Sequence, residues 1–189
     1  MVEVEAVKTQ EGAAIVEALF RKHYGDLYGD LWVFGLQTAL RISDLLAIEF
    51  DQLDLAKASY EFVEGKTRKR RIVRLNSKAL ETVNRRRANQ PTDVYLFQAH
   101  SNRTRSMPPK PINRVTVAKA FKEVGEMPSV DVKLGTHSMR KTRGWLLYKA
   151  GVSLEMISKI LNHSSPAVTM TYLGITQAEV LATYEDFVI

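Results

Sequence analysis

Six side chains suited to chemistry at a phosphate group stand in four separate segments of the chain. In chain order they are Arg41, Lys66, His137, Arg140, His163 and Tyr172. Guanidinium groups hold phosphate oxygens in pairs and stay charged at any working pH. A tyrosine hydroxyl is a weak nucleophile until its proton is removed or shared, and histidine and lysine are common proton carriers. The residue types therefore fit attack by a hydroxyl on a phosphodiester.

Each segment taken alone is weak evidence. Arg41 and Lys66 are of a kind found on any protein surface, and His163 and Tyr172 are nine residues apart on apolar helical stretches. With 4 histidines and 14 arginines in 189 residues, a His-x-x-Arg pair such as that ending at Arg140 is expected by chance about 0.3 times. Only the combination, in one chain order, indicates a function.

In that order the segments resemble the sequence boxes of the tyrosine recombinase (phage integrase) family. TALRISDLL is similar to the first arginine box, and EGKTRKRRIVRL to the β-hairpin that carries the family's lysine. GTHSMRKTRGWLLYKAG resembles the second arginine box, and MISKILNHSSPAVTMTYL resembles the closing box with its histidine and tyrosine. The resemblance covers about residues 9–175.

The resemblance implies site-specific cleavage and rejoining of DNA, as in DNA integration, through a 3′-phosphotyrosine at Tyr172. Phosphodiester cleavage passes through a pentacoordinate state with added negative charge, which Arg41 and Arg140 would hold through the non-bridging oxygens. The phosphodiester energy would be kept in the tyrosyl bond, so ATP is not needed. We expect no cofactor and no metal site, since the arginines would do the work of a metal.

The remaining roles follow from the same resemblance. His137 would act as a base or hydrogen-bond partner, and His163 would donate a hydrogen bond to the phosphate. Lys66 would protonate the departing 5′ oxygen, and Lys69 competes with it for this role. Asp44 would brace the active-site arginines, with a plain acid at a helix N-terminus as a nearly equal alternative.

Positive charge is concentrated in the middle of the chain. Residues 66–122 hold 16 Lys/Arg and 2 Asp/Glu, although the whole chain has a net charge of only +6. Such a distribution predicts one basic face for double-stranded DNA. The candidate DNA-binding residues are Arg68, Lys69, Arg70, Arg71, Arg103, Arg105 and Lys141. For the Arg85–Arg87 run, pairing with a helix dipole is about as good an interpretation.

Composition excludes several classes of protein. The chain has no cysteine, so disulfides, thiolate metal sites and cysteine nucleophiles are ruled out. No apolar run approaches the length of a membrane span, and the first residues lack an export signal. We expect a cytoplasmic, nucleoid-associated protein of bacterial or phage origin.

The hydrophobic pattern predicts a mostly α (α+β) fold, a helical bundle with a small antiparallel β-hairpin, as the tyrosine recombinase catalytic-domain fold would require. Predicted strands cover residues 59–63 and 71–75. The first helix is expected to bury Ala14, Ile15, Ala18 and Leu19. Predicted helices cover 9–24, 27–39, a short stretch capped by Ser43, 77–87, 115–124, 138–150, 153–161, 165–173 and 176–187.

The domain organisation is expected to be a single catalytic domain over residues 1–189. Most members of the family that the chain resembles carry an additional N-terminal DNA-binding domain, which we expect to be absent here because only one or two helices precede the first arginine box. Residues 176–189 form an amphipathic stretch that would pack on a neighbouring protomer or, equally, on its own core. We expect a monomer in solution and a homotetramer on paired DNA sites, with an accessory DNA-bending protein as a possible partner.

Two other functions compete with recombination. A non-catalytic DNA-binding module is one, because residues 151–173 have the spacing of a helix-turn-helix. It would give no use to Tyr172 or to the separated Arg41 and Arg140. The other is strand relaxation like that of a type IB topoisomerase, which uses similar chemistry. The Leu-Asn-His-Ser-Ser run before Tyr172 resembles the recombinases more closely.

Overall fold

A computed structural model describes residues 4–101 and 107–176. Eight α-helices and three short strands lie within these residues. The helices are α1 Gln10–Tyr24, α2 Asp26–Thr38, α3 Ile42–Leu46, α4 Ser77–Asn89, α5 Arg114–Gly125, α6 Ser138–Lys149, α7 Leu154–Leu161 and α8 Pro166–Leu173. The strands are β1 Leu53–Asp54, β2 Ser59–Val63 and β3 Arg70–Arg74.

The larger hydrophobic core lies among α1, α2, α4 and α5. The rings of Phe20, Trp32 and Phe121 meet there, with centroids 4.7–5.9 Å apart, and all three are buried. The buried face of α1 is offset from the predicted one, because Val16 and Phe20 point inward while Ile15 is 43% exposed. The predicted face of α1 is therefore wrong, although the helix itself is confirmed.

The predicted hairpin is confirmed as part of a three-stranded antiparallel sheet in the order β1-β2-β3. Tyr60 pairs with Val73, and Phe62 pairs with Arg71. Tyr60 and Phe62 stack with centroids 4.8 Å apart and hold the inner face of the sheet on the core. The turn between β2 and β3, residues 64–69, contains Lys66.

A second hydrophobic cluster is built from α6, α7 and α8. Trp145, Ile157, Leu161 and Leu173 are its large buried members. Gly144 allows the helices to approach, because a Cβ atom there would lie 2.7 Å from Leu173 Cδ2. This close approach sets the position of α8 on α6.

Side-chain caps begin most of the helices. Thr9, Asn76, Asn113, Ser153 and Ser165 each accept a hydrogen bond from a backbone N–H of the first turn. The predicted cap at Ser43 is wrong, because α3 begins at Ile42 and Arg41 occupies the capping position without a side-chain bond.

The Arg85–Arg87 run is structural. Arg85 pairs with the buried carboxylate of Asp30, and Arg86 is buried and donates to the carbonyl of Leu96. Arg87 donates to two backbone carbonyls, and its guanidinium lies 3.7 Å from the centroid of the Phe50 ring. These contacts leave the run little role as a DNA-binding surface.

Some predictions lie outside the described residues, namely those on Arg103 and Arg105 and, beyond its first residue, the predicted helix over residues 176–187. Within the described residues, no helix combines the length and the apolar character that crossing a bilayer requires.

Candidate active site

Arg41 is presented by a tight turn between α2 and α3. Ala39 ends α2 in the left-handed conformation, with φ 50° and ψ 32°, and Arg41 follows in an extended conformation. The Arg41 side chain is 15% exposed, and its Nη1 lies 2.6 Å from Oε2 of the buried Glu64. The guanidinium is therefore fixed by a counter-ion on the β2–β3 turn.

Arg140 lies on the first turn of α6 and is 2% exposed. It donates to the carbonyl of Ala39, and its Nη2 donates to the carbonyl of Leu161 at 2.5 Å. Burial lowers the pKa of Arg140, and the nearby charges of Arg41 and Arg71 lower it further. The arginines of the two predicted boxes are thus close neighbours, and Arg140 joins the α2–α3 turn to the end of α7.

Tyr172 projects from α8 toward Arg140. Its hydroxyl lies 3.4 Å from the carbonyl oxygen of His137 and hydrogen-bonds with Arg140. Burial raises the pKa of Tyr172, and the positive charges of Arg140 and Arg41 partly offset this effect. The phenol therefore holds its proton at neutral pH, and an attack from it needs help to remove that proton.

His163 follows α7 and packs edge-on against the Tyr172 ring. Its Nδ1 lies 3.1 Å from Oγ1 of the buried Thr169. Burial lowers the pKa of His163 to about 4, with Arg140 and Arg41 acting in the same direction. The imidazole is therefore neutral at neutral pH.

His137 occupies the N-terminal capping position of α6. Partial burial lowers the pKa of its imidazole, and four nearby cations add to the effect: Arg140, Arg114, Arg41 and Lys66. A neutral imidazole can accept a proton, as the predicted base would. Arg114 is the first residue of α5. The sequence did not point to it as a neighbour of His137, because a single arginine after a proline-rich loop is not part of a recognisable motif.

Lys66 is exposed, whereas the residues on either side of it in the turn are held by hydrogen bonds. The backbone N–H of Gly65 donates to Oδ1 of the buried Asp44 at 3.0 Å, and Thr67 Oγ1 donates to Glu64 at 2.7 Å. Asp44 was expected to brace the active-site arginines, but within the described residues its side chain accepts this bond from the backbone of the turn that carries Lys66. The charge of Lys66 is close enough to lower the pKa of His137. The backbone carbonyl of Lys69 accepts a hydrogen bond from the backbone N–H of Glu64.

The predicted basic residues of the β2–β3 hairpin fall into two groups. Arg68, Lys69 and Arg70 are exposed. Arg71 instead points inward, pairs with Glu64 at 2.8 Å and donates to the carbonyl of Ile160. Lys141 is also buried, with its ammonium nitrogen 5.3 Å from the centroid of the Tyr172 ring.

Besides Arg114, the sequence analysis did not identify Glu64 and Asn162 as members of the site. Glu64 lies one residue before the Gly-Lys pair of the turn, and Asn162 lies one residue before His163. Their proximity to the predicted catalytic residues was the only available signal. Among residues 4–101 and 107–176, no group of three His, Asp or Glu side chains is arranged to hold a metal ion.

Comparison with known proteins identifies a family and several relatives that the chain resembles in sequence. The model of the phage integrase family matches residues 30–179. The probable integrase/recombinase YoeC of Bacillus subtilis (strain 168) is 31% identical over 173 residues, which are 92% of this chain and 90% of YoeC. Tyrosine recombinase XerD of Halalkalibacterium halodurans is 23% identical over 79% of this chain but only 50% of XerD.

Solved structures share the fold. The crystal structure of XerA recombinase matches with a TM-score of 0.72 and 17% identity, over 98% of this chain and 65% of XerA. The Tn1549 transposon integrase, solved in complex with circular intermediate DNA, matches with a TM-score of 0.73 and 18% identity, over 98% of this chain and 67% of the integrase chain. The expected mostly helical fold with a small antiparallel sheet is therefore confirmed. From its sequence boxes, its fold and these matches, the chain belongs to the phage integrase family of tyrosine recombinases.

Proposed function

We propose that this recombinase cuts and rejoins double-stranded DNA at specific sites through a covalent bond between Tyr172 and a 3′ phosphate. The observation that carries the proposal is that Tyr172, His163 and Arg140 lie together, although they come from α8, the loop between α7 and α8, and α6. Arg41 adds a second guanidinium close enough to affect the ionisation of both Tyr172 and His163.

In the cleavage step the Tyr172 oxygen attacks the phosphorus and the bond to the 5′ oxygen breaks. Arg41 and Arg140 bind the non-bridging oxygens, where negative charge develops. The phosphate stays esterified to Tyr172, and the other strand end leaves as a 5′ hydroxyl. Attack by a 5′ hydroxyl from a second strand reverses the step, so the number of phosphodiester bonds is conserved and no ATP is consumed.

Three groups handle protons in this scheme. His137 has a neutral imidazole for assisting removal of the Tyr172 proton, since burial and four cations lower its pKa. His163 donates to the phosphate through Nε2, so its Nδ1 must accept a hydrogen bond. This requires the Thr169 hydroxyl to turn from the Ser165 carbonyl, 3.4 Å away, to His163 Nδ1, 3.1 Å away. Lys66 gives a proton to the departing 5′ oxygen, and its proximity to His137 favours it over Lys69.

The experiment is trapping of the covalent intermediate on a nicked duplex. A nick near the cleaved bond lets a short fragment diffuse away, so that rejoining fails and the protein–DNA adduct accumulates. Duplexes with a candidate core site and with a randomised core are incubated with wild-type protein and Tyr172→Phe, then run on a denaturing gel. A wild-type band that disappears in Tyr172→Phe supports the proposal. No band on a verified site would favour a non-catalytic DNA-binding module.

Two controls separate the proposal from related chemistry. Relaxation of supercoiled plasmid without any cognate site would indicate activity like that of a type IB topoisomerase. The proposal also makes the reaction independent of metal and ATP, because Arg41 and Arg140 supply the positive charge. Adduct formation should therefore persist in EDTA and without nucleotide, and its loss under either condition would contradict this part of the scheme.

For the assembly we propose a monomer in free solution that forms a homotetramer on paired DNA sites, assisted where needed by a DNA-bending protein. In this proposal residues 1–189 act as one catalytic domain in the cytoplasm. Light scattering with and without paired-site DNA tests this. A stable tetramer in the absence of DNA would refute it.

A further inference from the structure

The β2–β3 turn contains one buried carboxylate that the proposed reaction does not use. Glu64 is fully buried. Its Oε2 lies 2.6 Å from Arg41 Nη1 and accepts hydrogen bonds from Thr67 Oγ1 at 2.7 Å and Asn162 Nδ2 at 2.6 Å. Its Oε1 accepts from Arg71 Nη1 at 2.8 Å. One carboxylate thus joins three parts of the chain, namely the start of α3, the hairpin and the end of α7.

These partners keep Glu64 charged. Burial alone would raise the pKa of the carboxyl group, but the hydrogen bonds from Thr67, Arg71, Arg41 and Asn162 outweigh it and lower the pKa to about 2. Glu64 is therefore a permanent anion among cations at any working pH. Replacing such a carboxylate leaves its buried cations without a counter-ion.

The same contacts determine where Lys66 lies. Lys66 is between Glu64 and Thr67, whose side chains bond to each other and close the turn. The backbone adds bonds from Arg68 N to Glu64 O at 2.9 Å and from Glu64 N to Lys69 O at 3.0 Å. A shift of the Glu64 carboxylate would therefore move the lysine with the turn.

Asn162 connects this turn to the closing box. It ends α7 in the left-handed conformation, with φ 48°, which places its amide on Glu64 and its neighbour His163 against Tyr172. The carboxylate of Glu64 is thus a direct link between the segment of Lys66 and the segment of His163, beside the bond from Arg71 to the carbonyl of Ile160.

We propose that Glu64 is a positioning residue for cleavage, whose buried carboxylate docks the Lys66 turn onto Arg41 and Asn162 so that the lysine reaches the departing oxygen. The inference rests on the proposed function, because it assigns Glu64 to the placing of that reaction's general acid. General acids contribute about 10²- to 10⁴-fold to a rate, and small misplacements cost a large part of this.

A substrate with sulfur in place of the 5′ bridging oxygen distinguishes this role from a merely structural one. A thiolate is a far weaker base than an alkoxide and leaves without a proton, since thiols ionise near pH 8–9. A defect caused by a misplaced acid should therefore shrink on the sulfur substrate. A defect in the arginine clamp or in folding should be the same on both substrates.

The test measures single-turnover adduct formation at saturating protein on oxygen and sulfur DNA. Glu64→Gln preserves the shape of the side chain and removes its charge. We expect adduct formation to slow about 10- to 100-fold on oxygen DNA and to recover to within about threefold of wild type on sulfur DNA. DNA affinity should change by less than about threefold, because Glu64 does not face solvent.

Two further variants complete the test. Glu126→Gln makes the same charge change at an exposed ion pair with Lys122 and should behave as wild type on both substrates. Asn162→Gly removes only the amide and keeps a residue that tolerates the left-handed conformation. Adduct formation by Asn162→Gly should slow by about 3- to 10-fold on oxygen DNA and recover on sulfur DNA in the same way. If Glu64→Gln fails to fold, Asn162→Gly provides the test in its place.

Equal defects on oxygen and sulfur DNA would overturn the inference, as would wild-type cleavage by Glu64→Gln or a loss confined to DNA affinity. A wild-type protein that forms no adduct on either substrate, or a Tyr172→Phe protein that still forms one, would overturn the proposed function and this inference with it. Recovery on sulfur in both Glu64→Gln and Asn162→Gly would support the inference.

Discussion

The imidazole of His163 lies edge-on to the phenol ring of Tyr172, with ring centroids 4.8 Å apart and planes at 76°. Edge-to-face packing of this kind fixes the relative orientation of two rings. The Nδ1 of His163 is held in turn by Thr169 from the first turns of α8, the helix that carries Tyr172. The histidine and the nucleophile therefore move as one unit.

We expect Thr169→Val to slow adduct formation about 3- to 30-fold with little change in DNA affinity, because the imidazole loses the partner that selects its tautomer. Valine matches the shape of threonine, so the fold should persist. Thr171→Val is the matched control, since the Thr171 hydroxyl lies on the same helix but donates to the Ala167 carbonyl at an exposed position. Unchanged cleavage by Thr169→Val would mean that Thr169 does not orient His163.

A second prediction concerns pH and the folding stability of the domain. The pKa of His163 is lowered from 6.5 to about 4. Between these values the unfolded chain binds the extra proton, so His163 destabilises the fold as pH falls from 6.5 to 4 and has no such effect above 6.5. We expect a contribution of up to about 3 kcal/mol to the loss of unfolding free energy.

Urea unfolding at about pH 7 and about pH 4.5 checks this for wild type and His163→Gln. The variant should lose less stability than wild type on acidification. The comparison removes the contribution of His137, whose lowered pKa acts in the same direction in both proteins. Equal losses in the two proteins would show that His163 titrates normally in the fold.

A third prediction concerns Arg140, whose guanidinium joins Ala39 and Leu161 through their carbonyls. Lysine keeps the charge but cannot reach both carbonyls with a planar fork. Arg140→Lys should therefore lower the free energy of unfolding by about 1–3 kcal/mol and slow cleavage by at least about 100-fold. Arg143→Lys, one turn further along α6, is the control and should cleave within about threefold of wild type.

A fourth prediction uses the tight packing of α6 on α8. A methyl group at Gly144 would meet Leu173 Cδ2 at 2.7 Å, directly beside the nucleophile in the chain. Gly144→Ala should cost about 1–3 kcal/mol of unfolding free energy and slow adduct formation through displacement of α8. In a Leu173→Ala background the same change should cost less, because the clash is gone. Additive costs in the double variant would refute the clash.

A fifth prediction separates the exposed basic residues of the β2–β3 hairpin from the structural arginines. Replacing Arg68, Lys69 and Arg70 with glutamine should weaken DNA binding and reduce its salt dependence. The log–log slope should fall by about 0.9 for each DNA phosphate that the protein no longer neutralises. Arg87→Gln should instead lower stability and leave that slope unchanged, because Arg87 is engaged with Phe50 and backbone carbonyls. Equal effects on the slope would contradict this division.

The hydrophobic periodicity and the helix-capping residues predicted most of the helices and strands correctly, including the hairpin and the closely spaced α7 and α8. The buried face of α1 was not predictable, since Ile15 and Val16 are both apolar and only tertiary packing decides which is buried. The inward direction of Arg71 was equally hidden, because it depends on an ion pair with Glu64 across the hairpin turn, and the run of basic residues does not show which of them points inward. Local sequence specifies where a charge lies along the chain, but not which charge it meets.

The division into two hydrophobic clusters has a consequence for how the protein behaves when it fluctuates. Leu40 and Ile42, which flank Arg41, belong to the larger cluster, whereas Tyr172 packs against the smaller one. Glu64 and Arg71 of the hairpin link the two through Asn162 and the carbonyl of Ile160. Partial opening along this boundary would withdraw the nucleophile and leave the basic hairpin in place. DNA binding and DNA cleavage would then be lost at different temperatures and denaturant concentrations, and cleavage would be lost first.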